Sequence, residues 1–142
     1  MRQRIIEQVG DFELSTGLVQ VEVFTALEAI TEGDAVYVNS SGRIGRARAD
    51  ASATMHSIGV AFESIASLGA GRVVTHGPKR TDNFDASGRL GLFAWVSPTT
   101  AGGVTGIPPS SSGQIRQQVG IWRERRLLYV SLGGASQVGG TL

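Results

Sequence analysis

The sequence predicts an all-β domain, a compact barrel-like fold with an internal pseudo-duplication and an extended N-terminal arm. Three observations predict it. Apolar and polar residues alternate over short segments, as in Val19, Val21 and Val23 against Gln20 and Glu22. Twenty glycines punctuate a chain of 142 residues and mark frequent turns. A pattern beginning at Gly33 returns at Gly91: Gly33-Asp34-Ala35-Val36-Tyr37-Val38 lines up with Gly91-Leu92-Phe93-Ala94-Trp95-Val96. Ser57-Ile58-Gly59-Val60 then lines up with Gln118-Val119-Gly120-Ile121, and the segment opening at Arg72 with the one opening at Leu127.

The elements follow in chain order. Residues 1–17 read as an arm, because Gly10 and Gly17 interrupt the near-helical spacing of Ile5, Ile6, Val9 and Phe12. Two roles stay open for it, packing on a neighbouring subunit or closing its own barrel. Residues 18–133 form one all-β domain, with the repeats at about 33–77 and 91–133. Within it, strands are expected at 18–23 and 34–39, followed by a turn at Asn39-Ser40-Ser41-Gly42. A short strand at 43–49 leads to a crossover of small residues, 50–57, in which Met55 fills a core gap. Strands at 58–62 and 72–76 follow, and Gly77-Pro78 ends the second of them, since proline cannot donate to a ladder. Further strands fall at 90–96, 104–107, 114–122 and 127–132, with a polar turn at Glu124-Arg125-Arg126. The tail, 134–142, is Gly-rich and reads as mobile unless a neighbour holds it.

Composition limits the function classes. The net charge of +1 gives no general drive towards nucleic acid. The absence of cysteine excludes disulfides and thiolate metal sites. The start, M-R-Q-R-I-I-E-Q, lacks the apolar core of a secretory signal, and no run is long enough for a membrane helix. A soluble protein with no membrane partner is expected.

No residue pattern predicts catalysis, a cofactor or a metal. His56 and His76 lack zinc-ligand spacing, and there is no G-x-S-x-G elbow or Walker-type phosphate loop. Asp34, Asp50, Asp82 and Asp85 read as turn-stabilising carboxylates. Basic residues gather in two places, Arg43, Arg46 and Arg48, and Arg123, Arg125 and Arg126 beside Trp122. Either run is a solvated face or a partner contact, where arginine gives rigid multidentate bonds. Tyr37, Trp95 and Trp122 suit either an interface or the core. The contact surface expected from the sequence therefore comprises Arg2, Arg4, Ile5 and Ile6 of the arm, with Trp122, Arg123, Arg125 and Arg126.

The run A-I-T-E-G-D-A-V-Y-V-N-S-S-G-R-I-G-R-A-R-A-D, followed by I-G-V-A and G-R-V-V-T-H-G, resembles a family of small tailed-bacteriophage virion proteins. These are the capsid cement, decoration or head-stabilising proteins. The later P-T-T-A-G-G-V-T, V-G-I-W and L-Y-V-S-L-G fit the same pattern, so the resemblance spans about 31–133. It implies a compact β-barrel or β-tulip-like domain, a non-enzymatic structural protein on the outer capsid surface of a virion, made in the bacterial host cytoplasm. It also implies the major capsid protein as partner and self-association as a homotrimer. The competing reading is a tail, collar or fibre module that binds another virion protein or a host-surface glycan.

Overall fold

The structure is a computed structural model, and it describes residues 19–139. The arm residues Arg2, Arg4, Ile5 and Ile6, and the arm boundary at residue 17, lie outside the described residues. Among the described residues ten strands follow one another, with a 3-10 turn at Ser52–Thr54. They are β1 (Gln20–Thr25), β2 (Ala35–Val38), β3 (Ile44–Arg46), β4 (Ser57–Ala61) and β5 (Ala70–Arg80). The second group is β6 (Phe93–Val96), β7 (Val104–Thr105), β8 (Ile115–Glu124), β9 (Leu127–Val130) and β10 (Ala135–Gln137).

Eight strands make a curled, open antiparallel sheet in the order β3-β2-β4-β5-β9-β8-β6-β7, a half-barrel in form. β1 adds to β5 and β10 adds to β8. The order reads the same from both ends: β3, β2, β4 and β5 of one half correspond to β7, β6, β8 and β9 of the other. The registers agree residue by residue. Ala35 faces Val60 and Val36 faces Gly59, with a bulge before Tyr37. Phe93 faces Ile121 and Ala94 faces Gly120, with a bulge before Trp95. The entry turns match as well. Gly33 N–H donates to the Ala61 carbonyl and Ala61 N–H to that of Asp34. Gly91 and Trp122, then Trp122 and Leu92, make the same two bonds.

The recurring glycine has a steric cause. A side-chain carbon on Gly59 would overlap the Val74 carbonyl oxygen, and one on Gly120 would overlap that of Tyr129. Val74 and Tyr129 occupy equivalent places, because Val60 faces Val74 and Ile121 faces Tyr129. Each half thus needs a bare backbone where its bulged strand crosses its neighbour. The turns between the first two strands of each half are held alike. Asn39 Oδ1 accepts the N–H groups of Ser41 and Arg43, while Ser97 Oγ accepts those of Thr99 and Thr100.

The halves are not used alike. Ala35, Val60 and Val74 fill the larger core, but their equivalents Phe93, Ile121 and Tyr129 do not. From the second half that core receives Ala94, Trp122 and Leu128, each the immediate chain neighbour of one of those equivalents. Because side chains alternate, this offset places the opposite face inward. The first-half equivalents of those three, Val36, Ala61 and Val73, pack beneath Ala26, Ile30 and Ile65 in a smaller core. The front of one half therefore meets the back of the other, and the front of the second half is left facing outward.

Loop backbone spans the gap between the two sheet edges. Gly102 N–H donates to Ala47 (2.7 Å), and its carbonyl accepts from Ala35 (2.8 Å). Ala49 N–H donates to Ser97, and Ile115 N–H donates to Ala49. These are single bonds, two of them from the first residues of β2 and β8, and not a strand ladder.

Two expectations change. β5 does not stop at Gly77-Pro78 but runs to Arg80. Up to His76 it is flanked by β1 and β4, and from Gly77 onwards its ladder among the described residues is with β9. A residue without an N–H fits there because, among the described residues, one side of the strand has no ladder partner to supply. The expected Gly-rich tail contains β10, whose Ala135–Gln137 pair with Gln117, Arg116 and Ile115 of β8.

Candidate interaction surface

The outward face of the second half is built by direct cross-strand pairing. Pro78 faces Tyr129, Tyr129 faces Ile121, and Ile121 faces Phe93, one row across β5, β9, β8 and β6. Residues paired in this way project from the same side of a sheet. Trp95, two residues after Phe93, meets it edge to face with ring centroids 6.0 Å apart. Phe93 is 47% exposed, and Trp95, Ile121 and Tyr129 are half-buried.

Two cationic or ionisable groups border the row. The Arg123 guanidinium lies over the Tyr129 ring, 4.5 Å from its centroid. Such a contact is worth about 0.5–1 kcal/mol in water and more once desolvated. On the other side the His76 ring meets Tyr129 edge-on at 5.5 Å. His76 is also the partner of Gln20, the first residue of β1. The face is therefore aromatic in the middle and basic at its margin, a composition that favours protein contacts.

The structure separates the residues that the sequence grouped at this end. Trp122 belongs to the core: it is 1% exposed and stacks edge to face on Phe84 at 5.4 Å. It offers no outer contact surface, because its neighbours on β8, Ile121 and Arg123, are the residues that point outward. Arg123, Arg125 and Arg126 take three different roles. Arg123 lies on the aromatic face. Arg125 is exposed and pairs with Asp85 through Nε at 3.3 Å. Arg126 Nη1 donates to the carbonyls of Asp82 (2.8 Å) and Phe84 (2.7 Å), which ties the 81–88 loop to the hairpin. Arg125-Arg126 is the two-residue turn itself, since Glu124 pairs with Leu127.

The carboxylates divide by environment. Asp85 is held below the usual carboxylate range first by the Ser87 hydroxyl and N–H, then by Arg125. Asp50 is lowered chiefly by its bond from Arg48. Asp34 is raised, because burial outweighs the Thr31 N–H bond and the attraction of Arg46. Asp34 packs against Gly102 at the gap between the sheet edges, so its environment is that of the fold's junction. The other basic run is partly neutralised: Arg46 lies 3.5 Å from Glu28, and Arg48 pairs with Asp50. His56 and His76 are both exposed. Among the described residues no three His, Asp or Glu side chains gather as a metal site would require.

Trp95 was one of three aromatic candidates in the sequence, and it lies on the face. Phe93, Ile121 and Tyr129 were missed as surface residues. Their signal was the echo itself: large side chains stand where the first half has Ala35, Val60 and Val74. Comparison with protein-family models, curated proteins and solved structures returns no match for this chain.

Proposed function

We propose that this chain is a non-enzymatic structural protein of a phage virion, bound to the outer surface of the assembled capsid. There it stabilises contacts between major capsid subunits and associates with itself as a trimer. The observation that carries this reading is the outward aromatic row Phe93, Ile121 and Tyr129 with Arg123 at its margin. A water-facing row of this composition needs a protein cover, and a second protein surface offers one. The resemblance of the strand-and-turn pattern to phage decoration proteins supplies the virion setting. In this reading the barrel is completed as a closed β-tulip by the loop bonds at Ala47, Ala49 and Gly102.

The mechanism is linkage. A protein that binds only the assembled shell stabilises it in proportion to the binding free energy. Three copies joined in one trimer hold several capsid subunits with avidity even where each contact is weak. The shell contacts are assigned to Arg2, Arg4, Ile5 and Ile6 of the arm, and to Arg123 and Arg125 at the hairpin.

The test is add-back to purified shells that lack the protein, followed by measurement of occupancy and heat resistance. Binding in many copies with raised shell stability is expected, and Arg123→Glu with Arg125→Glu lowers occupancy. Absence of binding to shells, with binding to tails or host-surface glycans instead, would move the protein to the tail or fibre class.

A further inference from the structure

Among the described residues the five most exposed large apolar side chains fall into two groups. Leu90, Leu92 and Ile107 make the first, at the β6–β7 edge of the sheet. Leu92 N–H donates to the Arg89 carbonyl. The Arg89 stem lies against Gly106, where a side-chain carbon would stand 2.7 Å from its Cγ. Arg89 therefore sits among the three. Val23 and Leu68 make the second group, on β1 and just past its end, where Leu68 N–H donates to the Ala26 carbonyl. Exposed Glu22 stands next to Val23. The groups lie far apart. Val23 faces Arg72 near the start of β5, whereas the row through Phe93 meets β5 at Pro78. From Arg72 to Pro78 is about 20 Å of strand, and from β5 to β6 about 14 Å across the sheet.

Their charges are opposite. Among the described residues neither Arg89 nor Glu22 makes an ion pair. Other charges at these two ends are matched, Arg72 by Glu63 and Asp85 by Arg125. One apolar group thus carries a cation and the other an anion. Either group set against its own copy would bring like charges together, which is disfavoured at an interface. We propose that copies of this chain join head to tail, with Leu90, Leu92 and Ile107 of one copy on Val23 and Leu68 of the next and Arg89 opposite Glu22. A contact between two different surfaces propagates, and the smallest ring it closes has three copies. This deepens the trimer of the reading above and rests on that reading for the ring size. The contact takes the edges of the sheet and leaves Ile121, Tyr129 and Arg123 to the shell.

Sedimentation of the full chain without shells reads the contact. Val23→Ser/Leu68→Asn strips one group and Leu90→Ser/Leu92→Ser the other. All four positions are exposed, and asparagine tolerates the φ of +68 at Leu68. Far-UV circular dichroism confirms each fold. Each variant alone should sediment as a monomer where the full chain forms a ring. Mixed at raised concentration the two should give a one-to-one pair, since each keeps the group that the other lacks. Glu22→Arg and Arg89→Glu should each weaken association about two- to fivefold, the size of one exposed ion pair, and both together in one chain should recover it. These charge variants carry the test if a stripped variant does not fold. A ring that survives loss of the Val23 and Leu68 group overturns the proposal, as do stripped variants that stay apart when mixed, and in both cases the trimer stands. A full chain that is monomeric at every attainable concentration overturns the proposal and the trimer together, with shell binding still decided by add-back.

Discussion

Replacing Gly59 or Gly120 by alanine tests the repeated register directly. In both places the added carbon would overlap a carbonyl oxygen of the facing strand, Val74 in one half and Tyr129 in the other. A backbone atom paired in a ladder cannot swing aside as a side chain can, so the strands must part. Overpacking a filled interior costs about 1–3 kcal/mol, and the upper part of that range applies here. Gly88 is the control. It has φ +75 but open space where a side-chain carbon would stand, so alanine there meets only backbone strain, about 1–2 kcal/mol. For a chain of this length about 3 kcal/mol lowers the melting temperature by about 6–12 °C. Urea unfolding monitored by circular dichroism should place both Gly59→Ala and Gly120→Ala below Gly88→Ala, with Gly59→Ala the lower because its φ of +155 adds backbone strain. If both were no worse than the control, the two bulged crossings would not be the tight contacts described. If only one were costly, the halves would not be equivalent at this point.

Other predictions follow from the junction, the buried cation and the surface. Gly102→Ala should destabilise by about 2–3 kcal/mol, because φ is +77 and the added carbon would lie 2.6 Å from Asp34 Cγ. Asp34→Ala in the same chain should recover the contact part, measured by denaturant midpoint. Lys79 is 7% exposed and donates to Glu32 and to the Phe62 carbonyl, so Glu32→Ala should cost about 2 kcal/mol in the same measurement. Asp34 has a raised folded value, so the native state takes up its proton first and this group adds stability as pH falls towards 3.8. Asp34→Asn should therefore melt higher than the native chain near neutrality, with the gap closing in acid. Glu63 acts with the opposite sign: the Arg72 bond holds it below 4.5, so its contribution is present above that value and lost as pH falls through the folded one. Glu63→Gln should flatten that part of the acid transition.

The repeat was legible in the sequence because its markers are backbone requirements. Gly59, Gly120, Gly33 and Gly91 stand where side chains cannot, or where φ is positive, and such positions leave a mark in one chain without any relatives. Strand boundaries were less legible. Gly77-Pro78 signals a stop wherever a strand has two ladder partners, and nothing local in the sequence tells that β5 changes partners there. β10 was hidden for a similar reason, since Ala135, Ser136 and Gln137 gain their strand form from β8 and not from their own propensity. The candidate surface was half legible. Arg123 was found from the basic run, whereas Trp122 was placed outside because an aromatic beside arginines resembles an interface anchor. Which face of β8 turns inward depends on the one-residue offset between the halves, a tertiary fact that alternation alone does not carry.

The virion assignment is tested most directly by imaging intact particles that carry this protein with a small electron-dense tag. The account predicts tag density in many symmetric copies on the outside of the capsid, at positions shared by neighbouring capsid subunits. Density confined to a few copies on the tail, or particles without the tag, would contradict it.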